Sequence, residues 1–362
     1  MKNLKIFRNS RVIVTGHTGF KGSWLTAWLK QLGANVMGIS LDPPTYPSHF
    51  EASKINLGIK DVRLDIRDKV KLEQKITAFK PNFVFHLAAQ SLVGLSYKNP
   101  TITWQTNVLG TLNVLESLRK LKNVCNVVII TSDKCYFNRE IHYGYKETDI
   151  LGGKDPYSGS KASAELLVKS YISSFFLSDK SKIRIATARA GNVIGGGDWA
   201  NNRIIPDCIR FWSKNKKAEL RNPNATRPWQ HVLESVGGYL CLAINLSFNK
   251  HLHGEAFNFG PNLSREYSVL ELVKTMGVYW KNISWKVMPK SRKKFYESEL
   301  LRLNCNKAKK ILKWKNILKF SETVEMVASW YRSYYDHPKN IDKITRKQIR
   351  EYEKLLKKRL IK

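Results

Sequence analysis

Residues 11–15, Arg-Val-Ile-Val-Thr, form a short β-branched run that passes directly into Gly16-His17-Thr18-Gly19-Phe20-Lys21-Gly22. An amphipathic stretch through Trp24, Leu25, Trp28, Leu29 and Leu32 follows. This order predicts strand, glycine turn and helix. Glycine at 16 permits the tight turn, at 19 it lets the backbone approach a pyrophosphate, and at 22 it lets the helix pack against the strand. The helix start then offers unpaired N–H groups and the positive end of a dipole to phosphates. A second strand, Asn35 to Ile39, ends near Asp42, where a carboxylate can bind the adenosine ribose hydroxyls. Glycine triplets also make plain turns; placement between a strand and a helix is what predicts a dinucleotide site here. Asp42 would repel a 2′-phosphate, so NAD is favoured over NADP, with Lys21 near enough to weaken that preference.

A chain of 362 residues with 43% hydrophobic content can bury one large core or two fused ones. No apolar run approaches the roughly twenty residues of a membrane-spanning helix, and the basic N-terminal segment has no signal-peptide core. Five cysteines, Cys125, Cys135, Cys208, Cys241 and Cys305, are scattered without Cys-x-x-Cys pairs. That usage fits a reduced cytoplasm better than a disulfide framework or a zinc site. His251 and His253 lack a matching cysteine or carboxylate cluster, so both are expected at the surface and no metal site is expected.

The formal charge of +33 is spread along the chain. Neither zinc-finger spacing nor an RNP-type aromatic-basic motif accompanies it, so no specific nucleic-acid partner is expected. A cationic field still draws in a nucleotide-sugar carrying two phosphate charges. The one concentrated basic block is Lys343 to Lys362, where Ile344, Ile349, Tyr352, Leu356 and Leu360 recur at near-helical spacing. Packing on the chain's own domain or a solvated helix is expected ahead of a partner or an anionic membrane surface.

Further strands are predicted at Val62 to Leu64, Phe83 to Leu87, Val127 to Thr131 and Ile183 to Arg189, with a helix around Val108 to Leu118. Alternation of this kind predicts an α/β fold: a Rossmann-type, doubly wound parallel sheet whose ligands bind beyond the carboxyl ends of the strands. Asp65-Ile66, Ala88-Ala89-Gln90 and Ser132-Asp133-Lys134 all fall at such ends. The pattern is less regular from Gly191 onward and predicts a smaller α/β substrate-binding domain. We expect a dinucleotide-binding domain over 1–190, a substrate domain over 191–335 and a basic tail over 336–362. The chain is expected to return to the sheet within 228–260, near Trp229 to Val232 and Ala256 to Phe259.

Tyr157 and Lys161 sit four residues apart at the start of a helix-forming run. On an isolated helix such a pair is more often a core tyrosine and a surface lysine; the upstream glycine loop reverses that preference. Tyr157 then becomes the base that takes a proton from a substrate hydroxyl while hydride leaves the same carbon for NAD. Lys161, one turn later on the same face, is expected to lower the phenol from its usual value of about 10 and to contact the nicotinamide ribose. Ser132 is expected to hydrogen-bond the same substrate oxygen.

These residues resemble the extended short-chain dehydrogenase/reductase family, over nearly the whole chain up to about residue 335. Within that family, longer strings are similar to the CDP-glucose branch of the nucleotide-sugar 4,6-dehydratases. They include residues 15–25, Thr-Ser-Asp-Lys-Cys-Tyr at 131–136, residues 151–158, Ala-Arg-Ala-Gly-Asn-Val-Ile-Gly-Gly-Gly-Asp-Trp at 188–199, and Arg-Pro-Trp-Gln-His-Val at 227–232. The resemblance implies conversion of CDP-glucose to CDP-4-keto-6-deoxyglucose, an early step toward the dideoxysugars of bacterial surface polysaccharides such as O-antigen.

The same resemblance implies site roles. Asp133 would be the acid at C6 and Lys134 the base at C5, where dTDP-glucose dehydratases carry glutamate. A free amine there must fall from about 10.4 toward roughly 7, a shift of about 4 to 5 kcal/mol; electrostatic stabilisation of the enolate is the other role open to Lys134. NAD contacts would extend over residues 16–22, Asp42, Asp65, Ile66, Leu87, Ala88, Ala89, Gln90 and Asn107. Substrate contacts would come from Gln90, Ser91, Asn192, Arg203 and Arg227, with Arg227 best suited to grip the diphosphate. Ser91 and Gly94 depart from the proline and arginine of the CDP-glucose branch, which puts the nucleotide in doubt before the reaction. Family members pair through helices flanking the site, so a homodimer or homotetramer is expected through the faces around Val108 to Leu118 and Ala162 to Tyr171. A 4-epimerase on the same fold is the nearest rival, and Asp133 argues against it. A non-catalytic nucleic-acid-binding or scaffold protein is the rival of another class.

Overall fold

The computed structural model describes residues 3–141, 143–178, 181–261, 266–288 and 300–360, with the side chain of Leu360 outside that set. Seven parallel strands form the central sheet: β1 (Arg11–Thr15), β2 (Asn35–Ser40), β3 (Lys60–Arg63), β4 (Phe83–His86), β5 (Cys125–Ile130), β6 (Ile183–Ala190) and β9 (Ala256–Phe259). Their order is β3-β2-β1-β4-β5-β6-β9, so the winding direction reverses between β1 and β4. A crevice at such a reversal is where doubly wound sheets bind ligands.

The strands alternate between two cores, as the period-2 pleat requires. Val12, Phe83, Phe85, Val128, Ala186 and Ala188 face one layer; Ile13, Val84, Val127, Ile129 and Ile185 face the other. The second layer is built by α2 (Lys69–Phe79), α3 (Gly110–Arg119) and α4 (Pro156–Tyr171), through Leu72, Ile76, Val114, Leu115, Leu118 and Val168. The first holds α1 (Phe20–Gln31), α5 (Val232–Phe248), α6 (Phe320–Asp336) and α7 (Ile341–Leu360).

Helix α7 is not a free tail. Ile341, Ile349, Tyr352 and Leu356 are buried, Trp28 Nε1 donates to Glu353 Oε1 at 2.7 Å, and the Tyr352 hydroxyl donates to Glu234 Oε2 at 2.7 Å. Its basic residues occupy the outer face, where Arg359 pairs with Glu322 at 2.6 Å. Apolar residues at helical spacing therefore outweighed the charge block.

Two short ribbons stand apart from the sheet: β7 (Ala218–Leu220) with β11 (Trp285–Val287), parallel, and β8 (Thr226–Arg227) with β10 (Tyr267–Ser268), antiparallel. The stretch 229–232 does not add a strand. It makes a single bridge, Ile194 to His231, because the His231 ring accepts from Leu233 N and starts α5 at once. His253 is likewise not a free surface side chain: its ring accepts from Ile185 N at 2.9 Å. All five cysteines are buried and unpaired, and among the described residues no helix is long and apolar enough to cross a membrane.

Candidate active site

The turn after β1 has the geometry that its glycines demand. Gly16 adopts φ +75°, and a Cβ there would stand 2.7 Å from Ala88 N; a Cβ at Gly22 would stand 2.0 Å from Gly16 O. Helix α1 begins at Gly19 with no side-chain cap, so its first N–H groups remain for an anion. Thr18 Oγ1 ties the turn to the end of β2 through Ser40 and the Leu41 carbonyl, and Phe20 lies against Gly195. His17 turns away from the crevice: its ring is buried, bonded to Asp61 at 2.8 Å and packed on Gly38. Only its backbone is left to line the turn.

Lys21 also differs from expectation. Its Nζ donates to the Gly191 carbonyl at 3.2 Å, 170 residues away, and it lies within the electrostatic reach of Asp133, Arg203 and Lys161. Burial pushes this amine down to about 8. Its amine therefore stands beside Asp133, Arg203 and Lys161 rather than beside Asp42. Asp42 lies beyond the end of β2, 90% exposed, with Arg63 at 3.6 Å.

The loops after β3 and β4 complete the rim. Asp65 is held by Arg67, and Ile66 is buried against Gly110. Leu87 N and Ala88 N donate to the Thr15 carbonyl and hydroxyl, which seats Leu87 and Ala88 against Gly16, with half-buried Ala89 next on the loop. Asn107, on a π-turn ahead of α3, accepts from Gln90 N and donates to Gln90 O and Ser160 Oγ. One buried amide thus locks the β4 loop to the helix that carries Tyr157. Ser91 is exposed, and Gly94 has open space where a side chain would stand.

Helix α4 starts with Asp155 accepting from Ser158 N and with Pro156 at its first position, an arrangement suited to a helix start. That cap sets Tyr157 and Lys161 on the buried face, each 7% exposed. Ser132 lies near enough to Tyr157 to draw its phenol downward, and Ser132 Oγ donates to Asp133 Oδ1 at 2.8 Å while accepting from Lys134 N at 3.2 Å. Lys134 is half-buried on the same turn. The expected depression of the Tyr157 phenol does not occur. Burial pushes it up to about 12 against the pull of Ser132, and the cation whose field reaches it is Arg203 rather than Lys161.

Lys161 is itself pushed down to about 8 by burial, and among the described residues its amine makes no hydrogen bond or ion pair. An unpaired buried ammonium is costly, so this group is set for an acceptor brought by a ligand.

Behind Lys161 lies a network that sequence reasoning missed. Glu165, 4% exposed, accepts from Thr131 at 2.5 Å, Thr187 at 3.0 Å and Arg189 at 2.9 Å. Arg189 in turn donates to the Tyr136 hydroxyl and the Glu147 carbonyl. The available signal was a carboxylate four residues beyond Lys161, on the same inward face. Arg189→Met would leave Glu165 buried without its counter-charge, and a loss of about 3 to 5 kcal/mol in urea denaturation is expected.

Arg203 pairs with buried Asp198 at 2.7 Å, next to Tyr157 and Lys21. Asn192 is exposed just after β6. Arg227 sits on ribbon β8, apart from the central sheet, half-buried and near Glu266.

A family model described as GDP-mannose 4,6 dehydratase matches residues 13–327. The chain belongs to the GDP-mannose 4,6 dehydratase family. Among relatives in this family, the CDP-glucose 4,6-dehydratase of Salmonella typhimurium is 43% identical over 338 residues, covering 92% of this chain and 94% of that protein. The CDP-paratose 2-epimerase of Salmonella typhi is 27% identical, covering 74% and 84%. Of solved structures, an epimerase from Methanothermobacter thermautotrophicus superposes with a TM-score of 0.79 at 24% identity, covering 94% of this chain and 97% of that one. The UDP-glucuronic acid 4-epimerase of Bacillus cereus, in complex with UDP-glucuronic acid and NAD, gives 0.73 at 20% identity, covering 90% and 100%. These structures share the fold of this dehydratase-family chain.

Proposed function

We propose that the chain is an NAD-dependent nucleotide-sugar 4,6-dehydratase acting on CDP-glucose, for dideoxysugar and surface-polysaccharide synthesis. One observation carries the reading: Asp133, a carboxyl group with no task in simple C4 oxidation, is buried within electrostatic reach of Tyr157, the residue that would perform it, and accepts a hydrogen bond from Ser132. The 43% identity to a protein named for this reaction supports it.

The uncapped start of α1, the glycine turn, exposed Asp42 and the unpartnered Lys161 amine fit a nicotinamide dinucleotide. When bound, that group supplies the acceptor that holds hydrogen from C4 and returns it at C6. The protein's own groups manage protons and charge. Tyr157 receives the C4 hydroxyl proton, and the ketone so formed acidifies C5–H. Lys134 takes the C5 proton or steadies the enolate, and Asp133 protonates the departing C6 hydroxyl. Arg203, Arg227 and Asn192 hold the nucleotide-sugar, together with Gln90 and Ser91.

In this reading residues 1–190 with the return at 228–260 bind the cofactor and residues 191–335 cover the substrate. The protein works in the cytoplasm as a homodimer. Ile102, Trp104, Leu109 and Leu166, 41–55% exposed around α3 and α4, support that pairing. A 4-epimerase needs no acid at C6, so product chemistry separates the two. Incubation with CDP-, dTDP-, GDP- and UDP-glucose is expected to yield a 4-keto-6-deoxysugar, detected by its absorbance in alkali, from CDP-glucose first. Inversion at C4 without a keto-sugar would establish the epimerase instead.

A further inference from the structure

We propose that Glu165 is a positioning residue: through its buried ion pair with Arg189 it holds the turn carrying Asp133 and Lys134 in register with Tyr157 and Lys161. The inference rests on the dehydratase reading and deepens it, because C4 oxidation needs only the pair on α4, whereas loss of water needs the turn set correctly against that pair.

The two halves of the chemistry stand on different elements. Tyr157 and Lys161 belong to α4, and Glu165 lies one turn beyond Lys161 on the same buried face. Asp133 and Lys134 belong to a single 3₁₀ turn, Asp133–Cys135, just after β5. Its backbone hydrogen bonds are long, Cys135 N to Ser132 O at 3.2 Å and Tyr136 N to Asp133 O at 3.3 Å. A turn this short depends on its flanks for its position.

Both flanks end on the Glu165–Arg189 pair. Upstream, Thr131 Oγ1 donates to Glu165 Oε1 at 2.5 Å. Downstream, the Tyr136 hydroxyl accepts from Arg189 Nη1 at 2.9 Å and donates to Asn258 Oδ1 on β9 at 2.8 Å. The second oxygen of Glu165 accepts from Thr187 at 3.0 Å and from Arg189 Nη2 at 2.9 Å, both on β6. Two residues past Arg189, Gly191 comes so close to the turn that a Cβ there would stand 3.1 Å from Asp133 Oδ2. Thr131, Tyr136, Glu165, Thr187 and Arg189 are all buried, so water does not compete for these bonds. A carboxylate suits the post, because it accepts from three donors at once; glutamine would set an N–H group against one of them. Buried ion pairs add little stability over a packed apolar core, and the register this one imposes is the use that fits its place.

Glu165→Gln puts the fold at risk, so the test uses Thr131→Val, which removes one hydroxyl at nearly constant volume, with Thr131→Ser as the variant that keeps it. In single turnovers of the NAD-loaded full-length protein with CDP-glucose, the rise of reduced-cofactor absorbance reports C4 oxidation, and its decay reports water loss and hydrogen return. Thr131→Val is expected to leave the rise within about threefold of wild type and to slow the decay by roughly thirtyfold; Thr131→Ser is expected to recover the decay. Because the effect runs through the turn, adding Thr131→Val to Asp133→Asn is expected to slow the decay by less than about threefold more. A second readout needs no turnover: amide exchange over residues 132–136 is expected to quicken by about tenfold in Thr131→Val, with residues 158–168 unchanged. Equal slowing of rise and decay, an undiminished effect in the Asp133→Asn background, wild-type rates in Thr131→Val, or exchange that does not quicken in the turn overturns the positioning role and leaves the dehydratase reading standing. If none of CDP-, dTDP-, GDP- and UDP-glucose raises that absorbance in wild type, the dehydratase reading falls and this inference with it.

Discussion

Tyr157→Phe is expected to cut turnover of CDP-glucose by roughly 10³-fold, about 4 kcal/mol of transition-state stabilisation. The substitution deletes one buried oxygen and keeps the ring that packs at the head of α4. Calorimetric titration of CDP-glucose is therefore expected to show nearly unchanged affinity, which places the loss in kcat. The magnitude follows from position: the buried phenol stands at the head of α4 within reach of Ser132 and Asp133, and its loss removes the acceptor proposed for the C4 proton. A loss smaller than about tenfold would mean that another base serves C4, and the cluster would need a different assignment.

Gly22→Ala is expected to destabilise the fold by about 3 kcal/mol and to abolish saturable NAD binding. The added methyl would stand 2.0 Å from Gly16 O and 2.8 Å from Gly16 C. Those atoms are backbone, so relief requires α1 to lift from β1 and the turn to open. Gly94→Ala is the control, since nothing lies within 4 Å of its Cβ position and neither property is expected to change. Urea denaturation and quenching of tryptophan fluorescence by NAD measure the two effects. Wild-type stability with wild-type affinity in Gly22→Ala would show that the turn does not bear on the cofactor.

Much of the scaffold was legible because its signals are local. β1 and β9 occupy the ranges read from the sequence, the other strands of the central sheet fall within a residue or two, and the four short ribbon strands were not read. β-branched runs bounded by turns state their own conformation. That Tyr157 and Lys161 share the buried face of α4 was legible for the same reason, since four residues on a helix define one face.

What escaped was fixed by contacts between distant segments. Lys21 reads as a cofactor-loop lysine, yet its amine meets Gly191 across the crevice. Glu165 reads as one more helical charge, yet it anchors an ion pair with Arg189. Tyr157 reads as an acidified phenol, yet burial moves it the other way.

The sequence by itself determined the strands, the glycine turn, the two-layer alternation and the residue types of the chemistry, because periods of 2 and 3.6 are written into neighbouring positions. Only the tertiary structure decided which charges meet, which are stripped of water and which way the Ser132 hydroxyl points. Solvation and electrostatics depend on whatever the fold brings alongside, and no local pattern encodes that.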